Sequence, residues 1–225
     1  MPFIVIEGGD GSGKTTQSIK LAEYINSKNV STRYLKFPNY PSKSGQVVRA
    51  MLDGFYGTDA SKLNAYATSL MYTVDRYCSF NKEYAYAIED NEFIIADRYT
   101  YSNMIHQGSK LMESFEAMDE FNRWLLDLEF DKIGLPIPDL TIYLYVDPKK
   151  QIELLNSRGI PLDINEQSEQ VIRSTETAKR CANLYDWTII NCIDTNGNLF
   201  SIEDIFKKII AVVIDKFPQY EWIFK

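Results

Sequence analysis

Short runs of consecutive apolar residues alternate along this chain with longer stretches in which apolar residues return every three or four positions. Phe3-Ile4-Val5-Ile6, Val30 to Phe37, Glu92 to Ala96, Leu140 to Val146 and Trp187 to Cys192 are of the first kind. Short apolar runs rich in β-branched and aromatic residues predict buried strands. The second kind predicts helices. Ile19, Leu21, Ala22 and Ile25 place one after the first strand, and Ser44 to Leu52 gives another. Ser61 to Asp90 reads as one long helix or two joined ones. Met112 to Phe130 carries Phe115, Met118, Phe121, Trp124, Leu125 and Leu128 on one face. Gln151 to Ser157, Glu166 to Leu184 and Ile202 to Phe217 complete the set, with a break at Arg158-Gly159-Ile160-Pro161. Strands alternating with helices predict an α/β fold with a parallel sheet covered on both faces. Ligands of such sheets bind at the carboxyl ends of the strands. The loop after Ile6, the Phe37-Pro38 turn and the segment at Asp97 should therefore meet.

Composition narrows the picture. The 225 residues suit one domain spanning 1–225. No apolar run approaches the roughly 20 residues that cross a bilayer, and Met1-Pro2-Phe3 enters a strand at once, so neither a membrane span nor a signal peptide is expected. With 24 basic and 31 acidic residues the formal charge is −7, a poor match to nucleic acid. Cys78, Cys181 and Cys192 form no C-x-x-C pair, which fits free thiols in a reducing cytoplasm. His106 is the only histidine, which argues against a histidine-based metal site or catalytic triad.

The chemistry concentrates in Gly8-Gly9-Asp10-Gly11-Ser12-Gly13-Lys14-Thr15, followed by Thr16. This fits G-x-x-x-x-G-K-[ST], the phosphate-binding loop, between a strand and a helix. Backbone N–H groups and the helix dipole would hold the phosphates of ATP there. Lys14 would reach the β- and γ-phosphates, and Thr15 would ligate Mg²⁺. Asp97, at the end of the third strand, would hold the same Mg²⁺ directly or through water. Arg98 beside it suits a phosphoryl acceptor, because guanidinium grips phosphate through parallel hydrogen bonds. The guanine-reading motifs of GTPases are missing: Asn81-Lys82-Glu83-Tyr84 lacks the required Asp.

These motifs stand in an order that resembles the thymidylate kinases. Glu7-Gly8 through Thr16-Gln17 is similar to that family's E-G-x-[DE]-x-x-G-K-[ST]-[ST]-Q. Phe37-Pro38 resembles its F-P turn, and Tyr72 to Arg76 its aromatic-x-x-x-Arg helix. Asp97 to Ser102 resembles its D-R-[YH]-x-x-S, and Gly134 to Leu140 its G-L-P-x-P-D-L. The resemblance implies a three-layer phosphate-loop kinase fold with a five-stranded parallel sheet and a short lid near residues 157–167. It implies transfer of the γ-phosphoryl group of ATP to dTMP with Mg²⁺, in a cytoplasmic homodimer. Tyr72 would stack on thymine and Arg76 would donate to a base carbonyl. Their i, i+4 spacing puts both on one helix face. Asp10 would accept from the sugar 3′-hydroxyl, and Phe37 and Pro38 would pack by the acceptor nucleotide. Ser102 and either Asn103 or Gln107 would meet the thymine edge, with helix capping the other reading of Ser102. Asp194 and Thr195, past the last strand, would lie at the donor adenine.

Three positions depart from the family pattern. Gly11 stands where some relatives carry a phosphate-loop arginine, which points to a lid arginine: Arg158 first, Arg173 second, since Ile164 occupies the expected further position. Tyr40 stands where an acceptor-phosphate arginine often follows the F-P turn, leaving Lys43, Arg49 or Arg98 to compensate. Asp163 and Glu166 match acidic lid positions. Two other activities fit the phosphate loop: a deoxynucleoside or other monophosphate kinase, and a nucleotide-binding regulatory module without turnover.

Overall fold

The structure is a computed structural model that describes residues 1–159 and 161–225. Five strands form one parallel sheet: β1 Phe3–Gly8, β2 Thr32–Lys36, β3 Phe93–Asp97, β4 Leu140–Tyr145 and β5 Thr188–Asn191. Their order is β2-β3-β1-β4-β5. All residues of β1 and β3 are buried, as continuous apolar runs require when both sheet faces are covered. The edge strands β2 and β5 pair on one side only. They are shorter than their apolar runs and partly exposed.

Side chains alternate across the sheet. Ile4 and Ile6 of β1 face α1 (Lys14–Ser27) and α9 (Ile202–Lys216), packing on Leu21, Ile25, Ile209 and Val213. Phe3 and Val5 face the opposite layer, against Tyr84 and Tyr99. That second layer contains α3 (Ala65–Ser79), α4 (Ala85–Glu89), α5 (Tyr101–His106), α6 (Phe115–Leu126) and α8 (Ser168–Leu184). Two further helices complete the fold, α2 (Lys43–Leu52) and α7 (Pro148–Ser157).

The predicted elements are present, with three adjustments. The long helix from Ser61 becomes a 3₁₀ turn, α3, a π-helical turn at Phe80–Tyr84 and α4. The π turn lets Tyr84 reach the core, where it is fully buried against Phe80 and Phe37. Ile19 and Phe115, both assigned to apolar faces, are exposed. Phe115 begins α6 and lies under the Arg180 guanidinium at 4.1 Å, so a cation rather than the core covers it. The break after α7 includes Ile160, which lies outside the described residues.

Register then assembles the carboxyl edge. Ile6 and Lys36 both lie opposite Asp97, so three strands deliver their following loops to one place. The order places β1 between β3 and β4, the reversal point at which open α/β sheets form a crevice.

Candidate active site

The loop after β1 turns tightly. Gly11 and Gly13 have φ of 82° and 84°, a region that side-chain-bearing residues seldom occupy, and Gly13 leads directly into α1. The Gly8-to-Thr15 segment therefore presents the N-terminus of a 14-residue helix, as the motif requires. Lys14 folds back over this loop, donating to Asp10 Oδ1 at 2.7 Å and to the Gly9 carbonyl at 3.3 Å. Thr16 is exposed on the first turn of α1.

Asp10 also accepts from Arg98 Nη2 at 2.7 Å. Burial alone would raise the Asp10 carboxyl, but Lys14 and Arg98 together hold it well below the usual carboxylate range. Both cations meet Oδ1. Asp10, Lys14 and Arg98 thus form one charged cluster lining a cavity of about 210 Å³.

Thr15 Oγ1 donates to Asp97 Oδ2 at 2.5 Å, and Tyr34 OH reaches the same oxygen at 3.4 Å. Asp97 Oδ1 is buried with no partner among the described residues. A hydroxyl beside an unpaired carboxylate oxygen matches the hard-oxygen preference of Mg²⁺. Among the described residues no group of three or more Asp, Glu, His or Cys gathers around a metal position.

The same cavity is lined by Phe37, Pro38, Tyr72, Arg76, Asn103 and Gln107. Phe37 packs on Tyr84 and Tyr99. Arg76 is 1% exposed and pairs with Glu129 through Nε at 2.8 Å and through Nη2. Glu129 additionally accepts from the Thr73 and Thr100 hydroxyls, each at 2.6 Å. Arg76 is thereby fixed by a fully satisfied carboxylate, while Nη1 makes no hydrogen bond among the described residues. Gln107 is 1% exposed, and its Oε1 is buried without a partner among the described residues. An unpaired acceptor inside a binding cavity is a place for a ligand donor.

Several predicted site residues have other partners in this structure, or lie outside this cavity. Ser102 neither caps α5 nor keeps its hydroxyl free. It donates to Glu7 Oε2 at 2.6 Å and accepts from Arg98 Nη1 at 3.3 Å. Glu7 shares the inward parity of Phe3 and Val5 on β1, which brings its carboxylate to this spot. Burial pushes its pKa up while Arg98 opposes the shift. Arg158 ends α7 and pairs with Glu166 at 2.5 Å, and it is not among the cavity-lining residues. Arg173 is turned to the Ser109 carbonyl at 3.3 Å and to Glu113 and Glu169. Arg49 pairs with Asp53 at 3.0 Å and covers the Tyr40 ring, and Lys43 is exposed on the first turn of α2. Neither of these two lines the cavity, whereas Arg98 does. Asp194 folds its carboxylate onto its own turn, accepting from the Asn196 and Asn198 amides at 2.8 and 2.9 Å. Thr195 belongs to the same exposed turn, also away from the cavity.

Sequence reasoning overlooked Glu7, Glu129, Asp75 and His106. Asp75 is buried and accepts from the Asn39 amide at 2.7 Å and the Ser44 hydroxyl at 2.9 Å, holding the Phe37-Pro38 turn against α2. Glu129 sits in a π-helical turn, Asp127–Lys132. An acid inside an amphipathic helix gives no local sign of a distant arginine. Glu7 had a signal, since an acid next to an apolar strand is buried only with partners.

A phosphate loop facing a strand-end Asp-Arg pair across the carboxyl edge of this sheet defines a phosphate-loop kinase. A family model described as "Thymidylate kinase" matches residues 6–209. A thymidylate kinase of Arabidopsis thaliana is 30% identical over 228 residues, covering 96% of this chain and 72% of the relative. A probable thymidylate kinase of Pyrococcus horikoshii is 29% identical over 212 residues, covering 94% and 95%. The solved structure of thymidylate kinase from Candida albicans superposes with a TM-score of 0.67 at 22% identity, over 95% of this chain and 91% of that one. That of Ehrlichia chaffeensis gives 0.64 at 22%, over 94% and 98%. The two structures share the fold. The chain belongs to the thymidylate kinase family, and its reaction is ATP-dependent phosphorylation of dTMP to dTDP.

Proposed function

We propose that the cluster of Asp10, Lys14 and Arg98 is where the two nucleotides meet. The observation behind this is its position, between the phosphate loop on one side and a cavity lined by Tyr72, Arg76 and Gln107 on the other. Gly8 to Thr16 hold the phosphates of ATP, and Lys14 exchanges Asp10 for the β- and γ-phosphates. Arg98 takes the acceptor phosphate. Asp10 keeps Oδ2 for the sugar 3′-hydroxyl. Tyr72 stacks on thymine with Phe37 and Pro38 beside it, Arg76 Nη1 donates to a base carbonyl, and Gln107 Oε1 accepts from the ring N–H. Thr15 and Asp97 would hold Mg²⁺, which when bound would neutralise phosphate charge. The attacking phosphate oxygen is already ionised at neutral pH, so no general base is required. Alignment and charge neutralisation account for the rate.

Assembly and location belong to the same proposal. Leu70, Val74 and Tyr77 are exposed along one face of α3, and their spacing makes an apolar stripe suited to a second copy of the chain. Three unpaired cysteines fit a reducing cytoplasm. No helix among the described residues is long and apolar enough to cross a membrane.

ADP formation with ATP, Mg²⁺ and a panel of nucleosides and monophosphates tests the reading. Preference for dTMP, reduced about 100-fold or more in Lys14→Ala, is expected. Turnover of nucleosides in place of monophosphates would overturn it.

A further inference from the structure

Arg98 adopts a backbone conformation uncommon for a residue with a side chain, with φ of 68°. Such strain persists only where surrounding contacts over-determine it. The contacts are on the guanidinium. Nη2 donates to Asp10, and Nη1 faces both Ser102 Oγ at 3.3 Å and His106 Nε2 at 3.1 Å. Ser102 is anchored by Glu7. His106 ends α5, and its carbonyl accepts from the Ser109 hydroxyl at 2.8 Å and from Gln170 of α8 at 3.3 Å, which holds its backbone in place.

Arginine has donors only, so the His106 nitrogen facing it must be an acceptor. The ring is then neutral, with its proton on Nδ1. We propose that His106 is a positioning residue. Through Nε2 it fixes Arg98 Nη1, so that Nε–H and the remaining Nη2 hydrogen are the donors offered to the acceptor phosphate. This rests on the assignment of Arg98 to that phosphate. Two further observations bear on the tautomer. The first bears a cost: Nδ1–H is buried without an acceptor among the described residues, so the contact to Arg98 must outweigh an unpaired donor. The groups around it also oppose a charged ring: burial first, then Arg98, with Lys14 and Lys110 adding to them and Asp10 alone opposing, and the pKa falls to about 3.

The chain has one histidine, so a single imidazole reports by nitrogen NMR on the protein without substrate. The expected spectrum has a protonated Nδ1 and an unprotonated Nε2, unchanged between about pH 5 and 8. A proton on Nε2, or titration near the ordinary value, would overturn the contact. Kinetics on dTMP read the consequence. His106→Phe keeps a ring and loses the acceptor, so KM for dTMP should rise about tenfold while KM for ATP stays put. His106→Gln restores an acceptor oxygen and should recover most of that loss. Equal behaviour of the two variants would sink the positioning role. If His106→Phe does not fold, the Gln variant and the wild-type tautomer still decide. If the wild type fails to bind dTMP, the functional reading falls, while the spectrum, taken without substrate, independently decides the Arg98 contact.

Discussion

Glu129 shows how much one side chain can hold in this protein. It is fully buried and receives Arg76, Thr73 and Thr100 together. Breaking a buried pair leaves a charge with no partner, and Glu129→Ala should lose about 3–5 kcal/mol, measured by urea unfolding. His106 gives the pH signature. Its ordinary pKa of 6.5 falls to about 3 in the folded chain. Between those values the unfolded chain binds a proton that the folded chain refuses, so stability drops as pH falls through this window. Unfolding of the wild type and His106→Phe across that range should show the wild type losing ground on acidification, by at most about 1.4 kcal/mol per pH unit. Parallel pH profiles would contradict the neutral buried ring.

Elements decide where these residues stand. The Phe37-Pro38 turn is pressed between β2, α2 and α3. Asp75 ties the Asn39 amide, and Gly45 of α2 lies so close that a Cβ there would sit 1.9 Å from the Asn39 carbonyl oxygen. Backbone cannot yield as a flexible side chain does. Gly45→Ala should therefore shift the turn away from the cavity, raising KM for dTMP several-fold and lowering the thermal midpoint, while KM for ATP changes little. An unchanged KM for dTMP would show that the turn does not touch the acceptor. At Gly9 a Cβ would instead meet the end of Gln151, a buried side chain that donates to the Val146 carbonyl and the Thr175 hydroxyl. The two π-helical turns matter in the same way. Each shifts the helical register by a residue, carrying Tyr84 behind Phe37 and Glu129 beneath Arg76.

Across the whole molecule, the sheet places the site and the α3 stripe leaves a face uncovered. Leu70→Glu with Val74→Glu should convert a dimer to a monomer by sedimentation at micromolar concentration, and a monomeric wild type would refute the assembly. Much of the molecule was legible along the chain. Apolar runs and helical periodicity are local properties, so the five strands and most helices followed from them, as did the phosphate loop, whose function resides in eight consecutive residues. The meeting of Gly8 to Thr15, Phe37 and Asp97 also followed, because parallel strands deliver their loops to one edge. Strand order, the Arg76–Glu129 pair, the Glu7–Ser102–Arg98–His106 chain and the withdrawal of Arg158 and Arg173 from the cavity did not. Those contacts join residues distant in sequence, or depend on a one-residue helical offset. Burial and pairing then move Glu7 up and Asp10 and His106 down from their ordinary pKa values, which sequence neighbours alone could not specify.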